Sequence, residues 1–124
     1  MSDCIFCHLP ESVRQITQND LAIAFFDGFP VNPGHALIIP KRHVASYFDL
    51  TPDEVAAMHA LLPIVKREIE SLYQPDGYNI GVNIGEMAGQ SVFHVHMHVI
   101  PRYKGDVEHP KGGVRGVIPA RQSY

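Results

Sequence analysis

Between His94 and Val99 polar and apolar residues alternate without a break, and no other stretch of the chain restricts its fold as tightly. A period of two belongs to an extended strand, in which successive side chains point to opposite faces. One face is then all imidazole, from His94, His96 and His98, and the other is Val95, Met97 and Val99. The apolar face can lie on a core, so the imidazoles must look into a cleft, an interface or solvent. A solvated strand face ordinarily carries Thr, Ser, Lys or Glu. Three of the chain's eight histidines in one row need a chemical reason, because histidine is the side chain whose charge switches near neutral pH. Two chemistries use such a row. His-x-His on a strand can hold zinc in an open site, and a neutral imidazole can attack phosphorus while its neighbours hold charge.

The residues upstream favour phosphorus. Gly89, Gln90 and Ser91 supply a permissive backbone, amide donors and a hydroxyl, the parts of a loop that curls around phosphoryl oxygens. A formal charge of -3 argues against a nucleic-acid surface, which would show a basic patch. Arg102 and Lys104 nonetheless follow the histidines and remain available to attract a polyphosphate. With 45% apolar and 19% charged residues in 124, the chain reads as one globular domain with a single core. No run of eighteen apolar residues and no charged head before an apolar block is present, so no membrane partner is expected and the location is read as cytoplasmic. The two cysteines, Cys4 and Cys7, stand at zinc-knuckle spacing, and in a reducing compartment such a pair is a metal or redox device. A structural zinc needs two more ligands, and locally the sequence offers His8 alone.

The remaining elements follow from pattern. Ile16 to Asp20 reads as a strand ending in an Asn-Asp turn, and Leu21 to Phe26 as a mostly apolar strand. Asp27-Gly28, a natural turn, opens a loop with Pro30 and Pro33; Gly34-His35 then leads into an apolar strand, Ala36 to Ile39, paired with the preceding one and stopped by Pro40. Thr51, Pro52 and Glu54 fill the N-cap, N1 and N3 positions of a capping box. Val55, Met58, Leu62, Val65, Ile69 and Leu72 then mark one apolar stripe of a long helix, with a kink or lost bond at Pro63. After a Pro75-Asp76-Gly77 turn, Tyr78 to Ile84 is a further strand, antiparallel to the histidine strand. Residues 105–124 read as a loop-rich tail with little order of its own. Together these elements give an α+β fold, a mainly antiparallel sheet of about five strands with one long helix.

The run from Gly89 to Arg102 closely resembles the signature of the histidine triad (HIT) family of nucleotide hydrolases and transferases, in which histidines alternate with hydrophobic residues. Cys4-Ile5-Phe6-Cys7, Phe25-Phe26-Asp27, Pro33-Gly34-His35 and Ile39-Pro40-Lys41-Arg42-His43 match in the same order, so the motif-bearing core runs from about residue 3 to 104. The resemblance implies a HIT-like fold assembled as a twofold homodimer. It implies a structural zinc on Cys4, Cys7, His43 and His94, as in bacterial members with an N-terminal Cys-x-x-Cys. It also implies a purine nucleotide, adenine above all, held by Ile5, Phe6, Phe25, Asp27, Asn83, Gly89, Gln90, Ser91 and His98. Among these, Asp27 would meet the ribose hydroxyls, and Ile5, Phe6 and Phe25 would wall the base. His35 would join the triad's hydrogen-bond relay.

The chemistry expected is hydrolysis at an α-phosphate in two displacements, with no cofactor in the reaction itself. His96, central in the row, attacks phosphorus to give a nucleotidyl-histidine that water then opens. His98, with Gln90 and Ser91, holds phosphoryl oxygens and helps protonate the leaving group. The substrate expected is a dinucleoside polyphosphate such as diadenosine tetraphosphate, or a nucleoside phosphoramidate. Two other readings stand beside it: a zinc metallohydrolase in which all three triad histidines bind the ion, with Glu86 the nearest carboxylate base, and a nucleotide-binding or interaction module with little turnover.

Overall fold

The computed structural model describes residues 4–124. Residues 1–3, and with them the start of the motif-bearing core expected at residue 3, lie outside the described residues. Five strands form one sheet: β1 (Gln15–Gln18), β2 (Ala22–Phe26), β3 (Ala36–Pro40), β4 (Gly77–Val82) and β5 (Met97–Arg102). Their order across the sheet is β1-β2-β3-β5-β4, and every pairing is antiparallel. The strand that carries the end of the histidine row is therefore interior, with Leu37 of β3 on one side of His98 and Gly81 of β4 on the other.

Alternation divides the sheet into two working faces. Ala22, Ala24, Ala36, Ile38, Met97 and Val99 point one way and are buried with Met58, Leu61, Val65 and Ile69 of the helical layer. Four of the six sheet residues are no larger than Val and three are Ala, which lets the helices lie close to the backbone. On the opposite face Phe25, Leu37 and Ile39 are buried beneath Phe6, Leu9 and Val13 of the N-terminal segment. That second face receives His98, and it has no helix over it, so a cleft forms between the strands and the N-terminal segment.

The long helix is present, interrupted for one residue into α1 (Pro52–Ala60) and α2 (Leu62–Leu72). Pro63 has no N–H to offer the carbonyl of His59, and Leu61 instead donates to Met58 O at 3.2 Å, a tighter turn. The break shifts the stripe: Leu61, at 2% exposure, is the deep residue where Leu62 is expected, and Leu72 is left 43% exposed. The tail is also more ordered than its composition suggests. It winds through two 3-10 turns, Gly113–Val117 and Pro119–Arg121. The Arg115 guanidinium donates to the carbonyls of Arg121 and Gln122, and it stacks with Lys111 on the Tyr124 ring. Charged side chains tie these turns to backbone carbonyls, an interaction that leaves no hydrophobic period to read.

The capping box forms as expected: Thr51 Oγ1 accepts from Glu54 N–H and Glu54 Oε1 accepts from Thr51 N–H. Glu54 also takes two hydrogen bonds from Arg42, at 2.7 and 2.9 Å. Those donations, against the cost of burial, hold its carboxyl down at about 2 from 4.5. They tie α1 to the segment after β3 that presents His43. Thr51→Ala is expected to cost about 1 kcal/mol, measured by urea unfolding at pH 7. Because the folded carboxyl is depressed, its contribution is complete above pH 4.5 and disappears as pH falls toward 2. Glu54→Gln should therefore destabilise at pH 7 and differ progressively less from the parent below pH 4.5.

Candidate active site and metal centre

Each triad histidine has a different partner, and the partners set its tautomer. His94 is fully buried. Its Nε2 is 2.8 Å from the carbonyl of Pro40, which can only accept, so Nε2 carries the proton and Nδ1 presents a lone pair. That lone pair lies 3.4 Å from Cys4 Sγ and 3.5 Å from Cys7 Sγ, and Cys7 Sγ lies 3.1 Å from His43 Nδ1. The four candidate ligand atoms of Cys4, Cys7, His43 and His94 lie within 4.8 Å of one another. Zinc bonds of about 2.3 Å to sulfur and 2.0 to 2.1 Å to nitrogen at tetrahedral angles put sulfur and nitrogen roughly 3.6 Å apart. The donor set and its spacing thus fit zinc, with Pro40 as the outer partner that orients His94. His8, the local alternative, lines the cleft instead.

His96 is turned the other way. Its Nδ1 is 2.9 Å from the carbonyl of His94, so Nδ1 bears a proton and Nε2 is the nitrogen left for the cleft that His96 lines. His98 is the third case. Val31 N–H donates to His35 Nδ1 at 3.1 Å, which leaves the His35 proton on Nε2. That proton is donated to His98 Nδ1 at 3.0 Å, so His98 carries its own proton on Nε2. Burial, reinforced by the neighbouring His96 and His35 rings, pushes His98 down to about 4. Burial likewise lowers His35, against the pull of Asp27, whose Oδ2 is 3.5 Å from its Nε2. Both are neutral imidazoles at pH 7.

These orientations dispose of the reading in which all three triad histidines bind one ion. His94 faces the cysteines, His96 donates from Nδ1 to a main-chain carbonyl and turns its other nitrogen to the cleft, and the Nδ1 of His98 is occupied by a donated proton. Among the described residues, two groups have metal-like spacing, the cysteine group and Asp27, His35 and His98. In the second group Val31 fixes the His35 proton on the nitrogen that would ligate, which makes the group a hydrogen-bonded relay.

A cleft of about 950 Å³ opens in front of His96 and His98. Ile5, Phe6, Phe25, Asp27 and Ser91 line it together with those two histidines, and the Phe6 ring lies 5.1 Å from that of His96. His35 stands behind His98, buried. Asp27 also closes the turn it was expected to form, accepting from Phe29 N–H at 2.9 Å. The loop upstream of the triad is used differently from the expectation. Gln90 is 5% exposed; its Oε1 accepts from Gly85 N–H, and its Nε2 donates to the carbonyls of Ala45 and Val92. Its own amide is donated to Gly85, and that of Gly89 to Glu86. Gln90 therefore shapes the loop that presents Ser91, and Gly89, at φ 97°, makes its turn. Neither lines the cleft, nor does Asn83, whose side chain lies beside Gly89. Arg102 is likewise not available to a polyphosphate: Asp106 grips it at 2.8 and 2.9 Å and Asn79 accepts a third hydrogen bond.

Several contributors are invisible in the motifs. Leu9, Val13 and Arg14 line the cleft from a segment without periodicity. Asn32 donates to Pro101 O and to Asp106, pinning the loop that carries Val31 to the end of β5. Gly34, at φ 88°, is required there, since a Cβ would meet Tyr73, Ile69 and Pro101 at 3.0 to 3.3 Å. The Pro-Gly-His motif signals this last residue; nothing in the sequence signals Asn32.

An antiparallel sheet with one helical layer, and a histidine row split between a cysteine cluster and an open cleft, define a histidine-triad class of site. The HIT domain family model matches residues 11–105, and the chain belongs to that family. A HIT-like protein of Mycoplasma pneumoniae is 41% identical over 83% of this chain and 74% of its own length. A bis(5'-nucleosyl)-tetraphosphatase (asymmetrical) of Schizosaccharomyces pombe is 39% identical over 82% of the chain, and an adenylylsulfatase of Arabidopsis thaliana 35% identical over 85%. The matched region is 56% and 55% of the length of these two enzymes. A HIT family protein from Bacillus anthracis superposes with a TM-score of 0.79 at 36% identity, over 85% of this chain and 77% of that one. A zinc-bound histidine triad family protein from Mycobacterium smegmatis gives 0.74 at 35%, over 84% and 78%.

Protein purified without chelator is expected to carry one zinc per chain by elemental analysis, and Cys7→Ser to lose it. Full zinc occupancy in that variant would contradict the ligand set.

Proposed function

We propose that the chain is a nucleotidyl hydrolase that cleaves at the α-phosphate of a purine nucleotide derivative, a dinucleoside polyphosphate or a nucleoside phosphoramidate, through a covalent intermediate on His96. The observation that carries this reading is the 2.9 Å hydrogen bond from His96 Nδ1 to the His94 carbonyl. It commits Nδ1 as a donor, so Nε2 is the nitrogen left to the cleft, and in a neutral imidazole that nitrogen is a nucleophile that needs no separate base. The tetraphosphatase and the adenylylsulfatase among the relatives are named for substrates of this kind, adenylyl or nucleosyl groups joined through phosphate.

The first displacement forms a bond from His96 Nε2 to the α-phosphorus and breaks the bond to the leaving group. His98 faces the same cleft with a proton on Nε2, and it serves as a neutral donor to the phosphoryl or leaving oxygen as charge gathers there. The His35 N–H behind it holds that tautomer, and Asp27 stands at the end of the relay. The Ser91 hydroxyl supplies a second donor. In the second displacement water attacks phosphorus and releases a proton to solvent, the phosphorus–nitrogen bond breaks, and the nucleoside monophosphate leaves with His96 restored as a neutral imidazole. Ile5, Phe6 and Phe25 are assigned as walls for the base, and the free lone pairs of Asp27 as acceptors for ribose hydroxyls.

Zinc on Cys4, Cys7, His43 and His94 is structural in this reading: when bound it joins the N-terminal segment to the segment before β5, and no step of the displacement uses it. We also read the protein as a cytosolic twofold homodimer. In support of the dimer, β4 is an edge strand with Ile80 46% exposed on it; no helix among the described residues is long and apolar enough to cross a membrane.

A panel of diadenosine polyphosphates and adenosine phosphoramidates is expected to reveal turnover, with rapid quenching trapping one adenylyl group on the wild-type protein. His96→Ala should lose at least about a thousandfold in kcat and all of the adduct, while still binding AMP. Activity retained in that variant would refute the assignment, and AMP binding without turnover of any panel member would make the protein a binding module.

A further inference from the structure

The two cysteines of the metal cluster and the wall of the cleft are parts of one turn. Cys7 N–H donates to Cys4 O at 3.2 Å, and the residues between them, Ile5 and Phe6, line the cleft. The Phe6 ring meets His96 at 5.1 Å, Phe25 at 5.8 Å and His94 at 6.1 Å. Up to Arg14, whose carbonyl accepts from Phe26 N–H, this segment contains no strand or helix. Besides the sulfur–imidazole contacts of Cys4 and Cys7, it is held by a second reverse turn, Val13 N–H to Pro10 O at 3.0 Å, and by apolar contacts of Phe6, Leu9 and Val13 with the sheet. Segments of this construction open at low free-energy cost. Ligation by His94, which is rooted in the fold through Pro40, would be the strongest tie on the turn that carries Phe6.

We propose that zinc at Cys4, Cys7, His43 and His94 and a purine nucleotide in the cleft bind cooperatively, with Phe6 as the positioning residue that couples them. This rests on the reading of the cleft as a nucleotide site. With the metal bound, the Cys4–Cys7 turn is fixed and Phe6 is already in place as a wall. Without it, part of the nucleotide's binding free energy is spent on ordering the turn. Coupling between two sites is reciprocal, so the nucleotide tightens zinc by the same factor that zinc tightens the nucleotide. His94 provides a separate connection, through its carbonyl to His96, but that contact orients the nucleophile and does not build the wall. Phe6 separates the two routes.

The test is AMP binding to the full chain by calorimetry, zinc-loaded and chelator-stripped, together with zinc affinity by chelator competition with and without saturating AMP. The wild type is expected to show about a tenfold shift in both, within the usual range of coupling between sites. Phe6→Ala is expected to keep one zinc, to bind AMP about as weakly as the stripped wild type, and to show neither shift. Equal AMP affinity with and without zinc overturns the inference and leaves the nucleotide reading intact. A shift that survives in Phe6→Ala also overturns it, since coupling would then run through global folding, which far-UV circular dichroism of the stripped protein would register. Failure of zinc-loaded wild type to bind AMP overturns the nucleotide reading and the inference together.

Discussion

One peptide carbonyl, that of His94, determines what the cleft can do. It accepts the Nδ1 proton of His96, and an imidazole has only one nitrogen left once the other is so engaged. The carbonyl is itself held in place because the His94 ring is fully buried, bonded to Pro40 on one side and facing two sulfurs on the other. Adjacent groups of the same residue thus have two partners: the side chain faces the cysteine cluster, and the main chain holds the Nδ1 proton of the imidazole two residues on.

The sheet makes this division of labour possible. Alternation carries Val95, Met97 and Val99 into the helical core, and that core is what prevents the row from rotating. The pairing of β3 with β5 stops at Ile38 opposite Met97, so His94 and His96 precede the ladder and are free to take separate directions, while His98, inside it, is locked opposite Leu37. Burial then keeps His98 and His35 uncharged. The relay through Val31, His35 and His98 then leaves His98 with its proton on Nε2, beside the His96 ring.

Much of this was legible before any coordinates. The period of two placed Val95, Met97 and Val99 in the core, and the capping box at Thr51 is present in full. Cys4 and Cys7 at knuckle spacing pointed to a metal, although their distant partners, His43 and His94, came from the family resemblance and not from spacing. What the sequence could not convey is the competition for hydrogen bonds. Gln90 looks like a phosphate ligand until its donors and acceptor are seen closing the 85–90 loop. Arg102 looks like a free cation until Asp106 is found folded back onto it. In both cases a polar side chain serves the backbone or a neighbour outside any helical or strand repeat, and such partners leave no periodicity. The helix break shows the same limit for packing, since Pro63 announces a disruption but not that Leu61 would replace Leu62 in the core.

The account depends most directly on the protonation of a single ring. Nitrogen-15 NMR of labelled protein at neutral pH, correlating the His96 ring nitrogens with the ring carbon-bound protons, reads the tautomer without reference to any substrate. The account requires a neutral imidazole with its proton on Nδ1, where the His94 carbonyl accepts it, and an unprotonated Nε2. A proton resident on Nε2 would contradict the account, because the nitrogen facing the cleft would then have no lone pair to give to phosphorus.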